Sequence, residues 1–242
     1  MSFGPSPFQR RPVQLDYGTH EGSPAVVAFF NAVYLWMAIG LALTGVVGYW
    51  VSSNPAAMSY FMHSGILIIL IIAELVLVGT ISMAIQKLSA PAATALFLLY
   101  AGLNGITLSG IFLVYKHASL IGAFAATAAM FGVMSVYGMF TQSDLSTMGK
   151  IAFMGLIGII VASIVNIFLH SPVLTWIVSY VGVAVFAALT AYDTQRLRQV
   201  AISTAGDAAM AARLSISGAL MLYLDFLNLF LMLLQIMGDR RN

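Results

Sequence analysis

Long apolar runs separated by short polar punctuation dominate the chain. Seven such runs follow a polar start: about 25–51, 64–85, 92–114, 119–140, 151–169, 173–192 and 216–237. About 20 apolar residues carry a helix across the hydrocarbon of a bilayer, so each run suits one crossing. The first run ends at Ser52-Ser53-Asn54-Pro55, the second at Gln86-Lys87 and the fifth at His170-Ser171-Pro172. Residues 1–24 carry Pro5, Pro7, Pro12 and Pro24 with Arg10 and Arg11, and read as a flexible tail. The connection 193–215 is the long one, and part of it, GDAAMAARLS, reads as a short surface helix.

The last run differs from the others. Ile216 to Met237 carries a carboxylate, Asp225, near its middle. On a helix, Ser217, Asp225, Asn228 and Gln235 fall within about 80° of one another, and the rest of the surface is Leu, Met and Phe. An acid at that depth costs several kcal/mol unless it is neutral, paired or wet. The pattern therefore predicts an inner helix wrapped by the other six.

Composition agrees with the pattern. The 242 residues are 61% hydrophobic and 7% charged, far below the charged share of a soluble domain. The expected class is an all-α polytopic membrane protein: a tail over 1–24, then one seven-helix domain over 25–242. No cysteine is present, which excludes disulfides and thiolate metal sites. A net charge of +2 without basic patches argues against nucleic acid. No signal peptide is expected from the polar start. Positive charge sets orientation. With the N-terminus inside, Arg10, Arg11, Lys87, Lys150, Arg196, Arg198 and Arg213 are inner, while Lys116, Arg240 and Arg241 are outer. A last helix that re-enters would return Arg240 and Arg241 to the inside. Small residues on the first and third runs permit close backbone approach, and no inverted repeat stands out.

Three acids lie in or at the edge of apolar runs: Glu74, Asp193 and Asp225. Asp225 reads as an ion or proton site. Asp193, in AYDTQRLR, reads either as a surface acid neutralised by Arg196 or as the partner of Asp225. By rise alone Asp225 lies about 15 Å into its run, whereas Asp193 ends its own. They meet only if the seventh helix begins below the membrane surface or the sixth bends. If they meet, they share one proton, because two carboxylates in low dielectric cannot both ionise cheaply. Glu74 reads as a cation ligand on a permeation path or as an acid bonded to Asn104 or Asn166. Lys87 can snorkel to the surface or reach an inner-edge acid. The histidines lack ligand spacing, there is no serine elbow, and the GxGD context of an intramembrane aspartyl protease is missing around Asp225; no enzyme is expected.

Several stretches carry a resemblance. AYDTQRLR at 191–198 and GALMLYLDFLNLFLMLL at 218–234 closely resemble the C-terminal signature of the Bax inhibitor-1 family. LSAPAATALFLLYAGLNGITLSGIFLVY at 88–115, TAAMFGVMSVYGMFT at 127–141 and MGLIGIIVASIVNIFL at 154–169 match as well. The resemblance implies a seven-helix bundle in which six helices surround a central last one. The low charge, inner-positive loops and lack of a sorting signal suit a bacterial inner membrane with a cytoplasmic N-terminus, an organellar membrane being the runner-up. The resemblance also implies a pH-sensitive calcium leak without cofactor, in which Asp193 and Asp225 form a di-aspartyl sensor and are the candidate Ca²⁺ contact. Glu74 and Asn228 fall on the ion pathway, and Lys87 stands where relatives often carry a latching arginine. Lysine makes a weaker fork to carboxylates. The implied partners are lipid, Ca²⁺ and protons. Bacterial relatives also suggest an alternative role, a regulator that binds a membrane-bound quality-control protease.

Overall fold

The computed structural model describes residues 23–241, with Ser64 described by its backbone alone. The tail expected over 1–24 therefore falls almost wholly outside the described residues. The architecture is helical throughout: α1 Pro24–Ser53, α2 Pro55–Phe61, α3 Ser64–Ala84, α4 Ala90–Thr107, α5 Ile111–Val114, α6 His117–Phe140, α7 Ser146–Leu169, α8 Pro172–Ser203 and α9 Ala208–Met237. A 3₁₀ turn, Leu108–Gly110, joins α4 to α5 within one span. Seven helices or helix pairs are long and apolar enough to cross a bilayer.

The breaks are built from cap residues followed by proline. Ser23 accepts from Val26 N, Asn54 from Ala56 N and Ala57 N, and Ser171 from Leu174 N, each just before a proline at the helix start. Proline fits there because its missing N–H has no partner to lose. The polar clusters that end one apolar run thus start the next helix.

Alternation of the spans defines two faces. The near face carries residues 85–89, 141–145 and 204–207; the far face carries 54–63, 115–116, 170–171 and 238–241. At the far face, Lys116 N donates to Asp239 O, Arg241 N to Val114 O and Asp239 N to the Ser119 hydroxyl, while Lys116 and Asp239 pair at 3.7 Å. The C-terminal end is thereby fixed beside the turn between the third and fourth spans. The last helix runs unbroken for 30 residues, about 45 Å at 1.5 Å per residue, so it crosses and does not re-enter.

Two boundaries differ from the sequence reading, and the difference matters. The sixth helix continues past Tyr192 to Ser203, and the seventh starts at Ala208, with Asp207 accepting from Met210 N as its cap. The connection is 204–207, not 193–215, and of GDAAMAARLS the last eight residues, 208–215, form the first part of α9 instead of a separate surface helix, with Asp207 as its cap. These added turns are amphipathic, so an apolar window misses them while helix-forming Ala, Gln and Arg still favour them.

α9 is the most buried span: half of its apolar window is enclosed, against 6–33% in the others. It packs against α8, α1, α6, α4 and α3, whereas α7 packs chiefly against α8. Tyr223, Leu222, Leu229 and Leu234 of α9 are fully buried with Phe97 and Val33. Large apolar side chains such as Val46, Ile69, Leu75, Phe140 and Phe168 cover the outside, as a lipid-facing surface requires.

Candidate functional site

Asp193 on α8 and Asp225 on α9 meet. Their carboxyl groups lie within hydrogen-bonding reach of each other. The register explains how. Ser179 donates to Gln235 Oε1 at 2.7 Å, and Gly182 and Gly218 lie against Met232 and Leu197. That antiparallel pairing sets Leu222 level with Asp193. Asp225 is then three residues on, about 4.5 Å along the axis, which two side chains bridge easily.

Asp225 is 6% exposed, and its Oδ2 is enclosed with no N–H or O–H donor among the described residues. Asp193 is half-buried and has the exposed Arg196 charge beside it. An ionised carboxylate only accepts. A hydrogen bond between the two therefore requires one of them to carry a proton.

Asp193 is held from several sides. Tyr192 fills the space above Gly149, where an added Cβ would lie 2.5 Å from the ring. Gly138 of α6 lies directly against the Ala191 carbonyl, so the backbones touch there. Thr194 shares a hydrogen bond with Ser135 at 3.0 Å, and Ser135 with the Tyr34 hydroxyl at 2.8 Å. Gln195 accepts from Leu145 N and donates to Ser143 O, and Arg198 donates to Met139 O. Gln195 and Arg198 are positioning residues that the sequence reading passed over. Their signal was a polar pair three residues apart on a helix otherwise turning apolar faces inward.

Both acids line a cleft of about 640 Å³ between α7, α8 and α9. Asn228 lies one turn further along α9 in the same cleft and donates to its own Leu224 carbonyl; Lys150 and Arg196 flank the near-face end.

Glu74 is elsewhere. It accepts from Thr107 Oγ1 at 2.9 Å and from Asn104 Nδ2 at 3.4 Å, and Asn104 also donates to the Tyr100 hydroxyl. Tyr100 packs edge-on against Tyr223, whose hydroxyl meets Thr44 Oγ1 at 2.6 Å. Tyr223 and Asp225 are two residues apart, about 200° around the helix, so the Glu74 cluster and the aspartate pair occupy opposite sides of α9. Asn166 serves other partners, Thr175 and Ser171 N. Lys87 is exposed at the near end of the second span and forms no ion pair with Asp193 or Asp225 among the described residues. That end is held instead by Arg213 Nη1 donating to Gln86 O.

Among the described residues no group of three or more His, Asp or Glu side chains could hold a metal ion. Ca²⁺ favours 6–8 oxygens, so two carboxylates and an amide suit a passing cation better than a resident one.

Comparison with known proteins agrees with this architecture. Over 216 residues the chain is 51% identical to the inner membrane protein YbhL of Escherichia coli (strain K12), covering 88% of this chain and 92% of that protein. It is 45% identical over 216 residues to a protein of Deinococcus radiodurans, covering 89% and 92%. A protein of Borreliella burgdorferi is 43% identical over 215 residues, covering 88% and 93%. The pattern of the family described as "Inhibitor of apoptosis-promoting Bax1" matches residues 26–242, and the chain is a membrane protein belonging to that Bax inhibitor-1 family.

Proposed function

We propose that the protein is a pH-responsive cation leak, with Ca²⁺ as the permeant ion and the Asp193–Asp225 pair as the proton-sensing element. The contact of the two carboxyls at the floor of a cleft carries this reading. One proton held between them links α8 to α9. Its loss sets two negative charges side by side in an apolar surrounding, where they repel or draw in a cation. Lys150 and Arg196 stand at the cleft's near-face end, and Asn228 adds an amide further in. Glu74, on the opposite side of α9, is a second oxygen-rich cluster outside this cleft. Lys87 makes no latch in this arrangement.

The similarity to an inner membrane protein supports placement in a bacterial inner membrane. The near face collects Lys87, Lys150, Arg196, Arg198 and Arg213, which supports a cytoplasmic near face and N-terminus.

Proteoliposomes loaded with a calcium dye test the proposal. Flux is expected to depend on pH, and Asp225→Asn is expected to remove that dependence. Absence of flux, or a pH profile unchanged by Asp225→Asn and Asp193→Asn, would overturn it.

A further inference from the structure

The aspartate cleft is not alone on its side of α9. A second cavity of about 700 Å³ opens at the far face between the same three helices, and Gln235 lines it together with Asn166 and Thr175. Asp225, Asn228 and Gln235 lie on one stripe of α9, and Gln235 is seven residues beyond Asn228, about 10.5 Å along the axis. The near-face cleft ends at Asn228, and the far-face cavity begins at Gln235. Met232 stands between them, one turn past Asn228 and three residues before Gln235. Its thioether is seated on Gly182 of α8, where even a Cβ would lie 2.8 Å from the sulfur and 2.9 Å from Cγ. The glycine lets the Met side chain lie flat against the α8 backbone.

We infer that the two cavities are the halves of one aqueous route along the α7–α8–α9 groove, closed by the Met232 side chain on Gly182. The class of ligand is a small hydrated cation. Polar side chains solvate it on both sides of the septum, and the septum is apolar. A narrow apolar constriction excludes water and ions until it widens or becomes polar. This inference rests on the proposed leak for its physiological use, but the route itself is testable without conduction. It places the barrier beyond the aspartate pair, at a residue that titrates nothing.

The chain has no cysteine, so single cysteines report without background. Asn228→Cys and Gln235→Cys are placed in oriented proteoliposomes, and a membrane-impermeant cationic methanethiosulfonate is added from one face at a time. Gln235→Cys is expected to react from the far face and Asn228→Cys from the near face only. Adding Met232→Ala is expected to make Asn228→Cys reactive from the far face as well. Met232→Gln, which keeps the side chain's length and makes the stripe polar throughout, is expected to do the same, and it serves if the alanine variant does not fold. The inference is overturned if Asn228→Cys stays protected from the far face in both backgrounds while Gln235→Cys reacts. It is also overturned if neither cysteine reacts in the parent, since the cavities then hold lipid. Calcium flux separates the two proposals. A far-face gain of labelling without flux in any variant sinks the leak and keeps the route. A pH-dependent flux that Met232→Ala and Met232→Gln leave unchanged, with labelling also unchanged, keeps the leak and sinks the route.

Discussion

Gly149→Ala tests whether the α7–α8 contact positions Asp193. The new Cβ would lie 2.5, 2.6 and 2.7 Å from Cγ, Cδ2 and Cδ1 of Tyr192. Ordinary carbon contacts sit at about 3.5–4.0 Å, so the ring or α7 has to give by about 1 Å. Overpacking on that scale costs about 1–3 kcal/mol. Tyr192 directly precedes Asp193, so the displacement reaches the carboxyl pair. Thermal unfolding in detergent micelles measures the cost, and Tyr192→Ala supplies the second arm of a double-mutant cycle. Removing the ring removes the clash, so Gly149→Ala is expected to cost at least about 0.5 kcal/mol less in the Tyr192→Ala background, within the usual range for touching residues. Gly158 is the internal control. It is on the same helix with nothing within 4 Å, so Gly158→Ala is expected to be neutral or to stabilise by up to about 1 kcal/mol through helix propensity. Equal cost of Gly149→Ala in both backgrounds, or a cost no larger than at Gly158, refutes the reasoning.

Gln195→Ala orphans the buried Leu145 N and removes the tie to the exposed Ser143 O, and is expected to cost about 1–3 kcal/mol, with faster proteolysis at 141–145; an unchanged cleavage rate counts against the anchor. Asp144 accepts from Ser146, whose hydroxyl and backbone N–H hold its carboxyl below the ordinary 3.8. The folded form therefore prefers the ionised acid. Its contribution is complete above the ordinary value and is lost as pH falls through the lowered one, so Asp144→Ala and the parent are expected to differ in unfolding temperature at neutral pH and converge in acid. His170 ends α7 with φ 49°, in the left-handed region. His170→Gly is expected to raise stability by up to about 1 kcal/mol in the same unfolding assay.

The spans were legible in the sequence because a bilayer sets a length and an apolar composition that few other constraints mimic. The ends of α8 and α9 were not. Residues 193–203 and 208–215 are amphipathic helix that leaves the apolar layer, and a hydropathy reading stops where the apolar layer stops. That shortfall created the apparent 15 Å mismatch between Asp193 and Asp225. Once α8 is extended to Ser203 and α9 begins at Ala208, the acids lie within a turn of each other without any bend. The stripe Asp225, Asn228 and Gln235 was legible from helical angle alone. Its destination was not, because periodicity gives the side of a helix and not the neighbour. The same limit applied to Glu74, whose partners Thr107 and Asn104 come from the kinked third span.

The two polar clusters on α9 constrain how the molecule can move. Tyr223 is tied to Thr44 on one side, and Asp225 meets Asp193 on the other, nearly opposite around the helix. Turning α9 about its axis, or sliding it by a turn, breaks both networks and strips partners from buried polar atoms, at about 1–3 kcal/mol for each one left unsatisfied. The far end is also tied to the turn at 114–119. α9 is therefore the fixed post. The spans with the least buried surface are the second, with 6% of its apolar window enclosed, and the fifth, with 11%. The second leans chiefly on the third, and the fifth chiefly on the sixth. The fifth also forms one wall of both cavities on the aspartate side. Displacing it would widen the groove on the aspartate side while leaving the hydrogen bonds of α9 intact.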